Sequence, residues 1–246
     1  MEYPLMFNPN CLRDFQPLSV NLSQNPITHV TRISKLPIRE LNLSNCDIQT
    51  LEDGSFVYLE DLAVLDLSNN KISTSAINKK VFAGPLGLIG PVNFKNMQYL
   101  SLANNDLHSL AQDLFLFMPD LLHLDLSDNP LAFIDQNVSA GALAGLGDLT
   151  ILRMNYNPRL TNLDPDFLVS KNEDDEEVWP NLSELYLNNN NLSSIDSAII
   201  DNWKELVAAD FSTNPYVCDC KNQWVVDVLV PLLITMSANS SINNMV

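Results

Sequence analysis

Residues 62–72 read LAVLDLSNNKI, an eleven-residue pattern with apolar residues at its first, fourth, sixth and last positions and Asn70 at its ninth. The apolar residues Leu65 and Leu67 alternate with polar ones, as in a β-strand that buries one face. A carboxamide both donates and accepts hydrogen bonds, so Asn70 suits the point where the chain turns out of the strand. The stretch therefore predicts a short strand followed by an asparagine-stabilised turn.

The same pattern recurs in phase along the chain. Clear copies begin at Ile38, Met97, Leu121, Leu149 and Leu182, and weaker copies begin at Val20 and Leu206. One such unit cannot bury its apolar side alone, whereas stacked units bury it jointly. Eight stacked strands at the usual spacing would make a parallel sheet roughly 34 Å long.

This repeat resembles the leucine-rich repeat family over residues 17–224, and the second half of several units resembles its extracellular subtype. The second unit, for example, continues as Ile48-x-x-Leu51-x-x-x-x-Phe56-x-x-Leu59. The resemblance implies an α/β solenoid, a horseshoe of about eight coils. It places a parallel sheet on the concave face and irregular or short helical segments on the convex side. It also implies binding of another macromolecule rather than catalysis.

We expect a ladder of structural asparagines at the ninth position, with Cys46 in the same place in the second unit as a small buried group and weak donor. The ladder comprises Asn25, Asn70, Asn105, Asn129, Asn157, Asn190 and Asn214.

The outward-facing strand positions are the candidate binding residues. They combine carboxylates, which make the face acidic, with tyrosines, which are enriched at interface hot spots. The predicted partner-binding set is Asp66, Tyr99, His123, Asp125, Arg153, Tyr156, Glu184, Tyr186 and Asp210.

Three units carry insertions, around residues 79–91, 138–142 and 169–179. Glycines and prolines in the first, and the acidic run NEDDEE at residues 172–177 in the last, predict solvated loops. The expected organisation is a lead-in or partial cap at 1–16, repeats at 17–217, and a partial cap and tail at 218–246.

Residues 214–224 read NPYVCDCKNQW and resemble the start of the C-terminal cysteine-rich cap of extracellular leucine-rich repeat proteins. In that family the counterparts of Cys218 and Cys220 pair with two later cysteines, and no cysteine follows Cys220 here. We expect Trp224 and residues 225–234 to form an amphipathic helix that covers the last coil, limited by Pro231. Cys11 stands alone in the lead-in.

Thirty acidic against 13 basic residues give a net charge of −17. This charge argues against nucleic acid or an anionic membrane as the partner, because both require clustered Lys and Arg. Residues 1–7 lack the features of a signal peptide, and the apolar stretch at 225–236 is too short to span a bilayer. Because the cap motif is incomplete, we expect a piece of a longer extracellular or cell-surface protein. A cytoplasmic protein is the alternative.

No catalytic, cofactor or metal motif stands out. His29, His108 and His123 are scattered over separate units, and no nucleophile motif is present. Glycosylation sequons begin at Asn21, Asn42, Asn137, Asn181, Asn191 and Asn239, with Asn21 and Asn42 predicted mid-strand on the concave side.

Two functions fit these features. The first is a protein-binding ectodomain that takes a protein ligand or co-receptor, supported by the repeat subtype and the cap motif. The second is an intracellular scaffold or regulatory subunit, supported by the missing signal and the free cysteines.

Overall fold

The computed structural model describes residues 18–83, 94–111, 114–132, 143, 146–164, 166–171, 176–197 and 205–243. Eight strands form one parallel sheet, one strand from each predicted unit. In sheet order they are β1 (Leu18–Asn21), β3 (Ile38–Asn42), β5 (Val64–Asp66), β6 (Tyr99–Ser101), β7 (His123–Asp125), β8 (Ile151–Arg153), β11 (Glu184–Tyr186) and β12 (Ala208–Asp210). The predicted eight-coil solenoid is therefore confirmed.

Four two-residue strands lie outside this sheet. β2 (His29–Val30) pairs in parallel with β4 (Thr50–Leu51), which joins the first two coils a second time. β9 (Ser170–Lys171) pairs antiparallel with β10 (Glu177–Val178).

The interior is a continuous column of apolar side chains supplied by every coil. The middle strand residues, such as Leu65, Leu100 and Leu124, are fully buried. On the other side of the column, the Phe82 ring stacks on Phe56 at 5.8 Å and meets Phe94 edge-on at 6.0 Å. Removal of these side chains from water is the main term that holds successive coils together.

Two predicted loops contain regular structure. The start of the first insertion is a short helix, α1 (Lys79–Ala83), rather than a loop. Asn78 accepts a hydrogen bond from the Lys80 N–H at 2.9 Å, and Val81 and Phe82 fill the core. In the third insertion, β9 and β10 flank the acidic run, because pairing satisfies backbone groups that a free loop leaves to water. Residues 84–93 and 138–142 lie outside the described part of the chain.

The last coil is covered by helical structure. A π-helical turn (Val225–Leu229) leads directly into α2 (Val230–Asn243), so the prediction that Pro231 limits the helix was wrong. A proline inside a continuous helix removes one backbone hydrogen bond, and the π-helical turn directly before Pro231 is a local change of hydrogen bonding that accommodates it. Trp224 donates its indole N–H to the Ile195 carbonyl at 2.9 Å, and Leu229 is buried. Among the described residues, no helix is long and apolar enough to cross a membrane.

Candidate protein-binding face

Each coil leaves its strand through one left-handed residue. In all eight coils, the residue before the ladder position has φ between 52° and 61°. Asn and Asp tolerate this conformation best after glycine, which explains Asn45, Asn69, Asn104, Asp128 and Asn189 at these corners. This requirement was not predicted from the sequence, although the recurrent Asn-Asn pair is its visible signal.

The ladder residues satisfy backbone groups of two coils at once. Asn129 donates to the Leu102 carbonyl of the coil before it and to the Leu126 carbonyl of its own coil, at 2.9 and 3.2 Å. Its Oδ1 accepts the Leu107 N–H at 3.2 Å. Asn70, Asn105, Asn190 and Asn214 bridge adjacent coils in the same way.

Three ladder positions differ from this pattern. Asn157 donates within its own coil alone, to Met154 and Asn155, and its Oδ1 accepts the Asn129 N–H of the coil before it at 3.2 Å. Among the described residues, the Asn25 carboxamide donates within its own coil, to Leu22 and Ser23. Cys46 is fully buried, and its thiol donates to the Leu22 carbonyl across the coil boundary at 3.1 Å. Together with the Sγ contact to Ser44 at 3.3 Å, this thiol stands in for the carboxamide nitrogen.

Several outward-facing residues also have a structural contact. The Oδ1 atoms of Asp66, Asp125 and Asp210 each accept the backbone N–H two residues later, at 2.9, 3.0 and 2.9 Å. Asn21 and Asn42 make the same contact, and they are the last residues of β1 and β3 rather than mid-strand. These contacts hold the side chains in place at the strand ends.

Strand register places the outward-facing side chains in two rows across the sheet. From β5 to β12, the first row is Val64, Tyr99, His123, Ile151, Glu184 and Ala208. The second row is Asp66, Ser101, Asp125, Arg153, Tyr186 and Asp210. Except for the buried Ser101, these side chains are half-buried.

A cluster of neighbouring side chains occupies the middle of these rows. We call it the central patch, and it consists of Tyr99, His123, Asp125, Arg153, Glu184 and Tyr186. The Tyr99 and His123 rings meet edge-on at 4.7 Å, and the Arg153 guanidinium lies 5.4 Å from the centre of the Tyr186 ring. The Tyr186 hydroxyl donates to Glu184 at 3.1 Å.

The electrostatics of the central patch follow from partial burial and from the surrounding carboxylates. Burial lowers the pKa of His123, and Arg153 lowers it further, while Asp125 and Glu184 oppose them. Burial, then Asp66 and Asp125, raise the pKa of Tyr99. The Nε2 atom of His123 is buried without a hydrogen-bond partner among the described residues. At neutral pH the patch therefore presents a neutral imidazole, two phenols and acidic groups around one guanidinium.

Tyr156 differs from the other predicted binding residues. It lies at the left-handed corner after β8, with φ of 58°, and its side chain is 48% exposed. This conformation disfavours a bulky residue by about 1–2 kcal/mol. The ring is therefore held at the edge of the face at a cost in backbone strain.

The structure brings most of the predicted binding residues together. Six form the central patch, and Asp66 lies beside it. Tyr156 follows the end of β8, and Asp210 is the last residue of β12, the last strand of the sheet.

The remaining predicted residues lie outside the sheet. Cys218 and Cys220 are exposed free thiols, while Cys11 lies outside the described residues. Of the sequon asparagines, Asn181 and Asn191 are exposed, and the side chains of Asn137 and Asn239 lie outside the described part of the structure. No group of three or more metal-ligating side chains occurs in the described part of the chain.

Stacked coils, a parallel sheet and an asparagine ladder define a leucine-rich repeat protein. The chain belongs to this family, because leucine-rich repeat models match residues 37–88, 95–158 and 181–203. Among curated proteins, it is 34% identical to Tsukushi of Xenopus tropicalis over 60% of this chain and 45% of that protein. The chain thus spans less than half of that relative's length.

Solved structures share the fold at low sequence identity. Human 5T4, a trophoblast glycoprotein, superposes with a TM-score of 0.58 at 18% identity, covering 85% of this chain and 73% of that one. Toll in the Drosophila Toll–Spatzle complex superposes with a TM-score of 0.51 at 18% identity, covering 80% and 27%. Both are leucine-rich repeat horseshoes.

Proposed function

We propose that this chain is a non-catalytic protein-binding module of an extracellular receptor or adhesion protein and that it binds a protein ligand or co-receptor through its concave face. The observation that carries the proposal is the central patch: contacting aromatic and charged side chains in the middle of a sheet face that no segment of the described chain covers. Tyrosine and arginine are the residue types that dominate binding energy at protein interfaces.

The similar proteins support this proposal. Toll was solved as a complex with Spatzle, and 5T4 carries the name glycoprotein. A solenoid with a concave sheet offers a long, rigid surface that loses little entropy when a folded partner binds.

The binding test uses this chain as a tetrameric probe on an array of identified secreted and cell-surface ectodomains. The variant Tyr99→Ala/Tyr186→Ala removes both rings from the central patch. A matched control, Tyr58→Ala, removes a half-buried ring outside the sheet. We expect binding that the double variant weakens by at least about 2 kcal/mol and the control leaves unchanged. Binding that survives the double variant would place the site elsewhere and contradict the proposal.

A second test concerns localisation. The intact mass of the protein from its native source, before and after deglycosylation and thiol labelling, reports glycans and disulfides directly. Glycans and blocked thiols are the expected result. A glycan-free protein with free thiols at Cys46, Cys218 and Cys220, as these residues are in the structure, favours the intracellular scaffold instead.

A further inference from the structure

We propose that the concave face binds a basic polypeptide segment and seats one Lys or Arg headgroup over the Tyr99 ring, between the carboxylates of Asp66 and Asp125. This inference rests on the proposed function and specifies the chemistry of its partner. The same face also holds the chain's own example of such a contact, since Arg153 lies over the Tyr186 ring.

Charge complementarity favours a basic partner. From β5 to β12, the two outward rows carry four carboxylates, on Asp66, Asp125, Glu184 and Asp210, against the single guanidinium of Arg153. Within the described chain, none of these four carboxylates lies in a salt bridge. The whole chain has a net charge of −17, so a basic segment is attracted both at long range and at contact.

The Tyr99 side chain lies between two carboxylates. Asp66 and Asp125 lie on either side of Ser101 in the second row, so two strand spacings, about 10 Å, separate their backbones. Ser101 is small and buried, and its hydroxyl interacts with the Tyr99 phenol. Both carboxylates raise the pKa of Tyr99, so their charges act at this ring.

The carboxylates of Asp66 and Asp125 are held in position and remain available to a ligand. Asp66 Oδ1 accepts the Ser68 N–H, and Asp125 Oδ1 accepts both the N–H and the hydroxyl of Ser127. Among the described residues, no hydrogen bond or salt bridge involves either Oδ2 atom, so each is available to accept from an ammonium or guanidinium group. Little side-chain entropy is then lost when a cation binds.

The Tyr99 ring adds an aromatic surface. A cation over a tyrosine face gains about 0.5–2 kcal/mol, depending on how far it is desolvated. The Tyr99 and His123 rings meet edge-on, and among the described residues no cation lies over the Tyr99 ring.

The test measures binding of fluorescent peptides of about eight residues at low ionic strength, where such contacts are strongest. The probes are an alternating Gly-Lys peptide, its Gly-Glu counterpart and a Gly-Ser peptide. The variant Asp66→Asn/Asp125→Asn keeps each Oδ1 acceptor but removes both charges. The matched control Asp120→Asn/Asp148→Asn removes one half-buried and one exposed charge outside the strands of the sheet. Tyr99→Leu keeps an apolar side chain and removes the ring.

We expect selective binding of the Gly-Lys peptide. Asp66→Asn/Asp125→Asn should weaken it about tenfold, Tyr99→Leu about threefold, and the control pair less than twofold. Equal weakening by both double variants would show that only net charge matters and would overturn the inference. So would a failure of the wild-type protein to bind the Gly-Lys peptide.

The two proposals can fail separately. A partner from the ectodomain array that requires Tyr99 and Tyr186 but ignores Asp66→Asn/Asp125→Asn leaves the proposed function standing and refutes the basic-segment inference. A partner that ignores the Tyr99→Ala/Tyr186→Ala variant refutes concave-face binding itself.

Discussion

At the scale of single residues, the asparagine ladder is the most exacting part of the repeat. Asn129 is 1% exposed, and its side chain bonds both the preceding coil and its own. Its replacement by alanine leaves three carbonyls without their side-chain donor and the Leu107 N–H without its acceptor. A buried backbone group that loses its partner costs about 1–3 kcal/mol.

We predict that Asn129→Ala lowers the free energy of unfolding by about 3 kcal/mol, measured by urea denaturation. Asn25→Ala is the control, because Asn25 is exposed and donates only within its own coil. That change should cost less than about 1 kcal/mol. Equal losses in the two variants would show that the hydrogen bonds between coils contribute no more to stability than those within a coil.

Tyr156 gives a prediction of opposite sign. We predict that Tyr156→Asn stabilises the protein by about 1 kcal/mol, a rise in melting temperature of about 3 °C, because Asn tolerates the left-handed corner better than Tyr. The reverse change in the next coil, Asn189→Tyr, should destabilise the protein by a similar amount. If Tyr156→Asn instead lowers the melting temperature, contacts of the ring outweigh its backbone strain. Under the proposed function, Tyr156→Asn also weakens partner binding.

His123 gives a prediction for pH. Because its folded-state pKa lies below the ordinary value of 6.5, the unfolded chain takes up this proton first as pH falls. Its contribution to stability is complete above pH 6.5 and is lost as pH decreases from there towards the lowered pKa. Melting temperatures between about pH 7.5 and pH 5 should therefore fall less steeply for His123→Gln than for the wild-type protein. Identical curves for His123→Gln and the wild-type protein would contradict the prediction.

At the scale of elements, the end of the solenoid depends on a few contacts. Trp224 lies against the apolar column and donates to the Ile195 carbonyl of the preceding coil, while Asn222 donates to Ser193 and Val217. These contacts join the helical cap to the last turns of the repeat. Without them, the terminal coil would expose its apolar end to water.

We predict that Trp224→Ala destabilises the protein by about 2 kcal/mol, since the ring is only partly buried. Trp224→Phe keeps most of the apolar contact and loses the indole hydrogen bond, so it should cost about 1 kcal/mol. Hydrogen exchange should locate the added opening in residues 193–217. A uniform increase in exchange along the chain would contradict a local role of the cap.

How far the elements were predictable depends on which residues carry the pattern. The eight strands follow directly from leucines at period two, as in Leu65 and Leu67, because that spacing dictates which face is buried. The helix at Lys79–Ala83 was not predictable, because the nearby Gly84 and Pro85 suggest a loop and only tertiary packing places Phe82 between Phe56 and Phe94. The rows of the binding face followed from strand register. The cation over Tyr186 did not, because it depends on the side-chain conformation of Arg153.

At the scale of the whole molecule, charge acts against the fold. The chain has 30 acidic and 13 basic residues. Among the described residues, the Lys–carboxylate salt bridges are Lys35–Glu60 and Lys71–Asp47, and both are exposed. Exposed pairs contribute little, whereas excess charge of one sign repels itself in the compact state more than in the expanded chain. The apolar column of the solenoid must offset this repulsion.

We predict that the melting temperature rises by several degrees when NaCl increases from about 20 mM to about 500 mM, because the shorter Debye length screens the repulsion. Asp120→Asn/Asp148→Asn removes two of the repelling charges, so this variant should melt higher at low salt and gain less from added salt. A melting temperature that falls with salt would mean that attractive ion pairs dominate, contrary to the contacts observed. The same screening should weaken the binding of a basic ligand to the concave face. As salt increases, the stability of the protein should therefore increase while its affinity for the basic ligand decreases. Both trends together are expected only if the excess negative charge destabilises the fold and also contributes to binding.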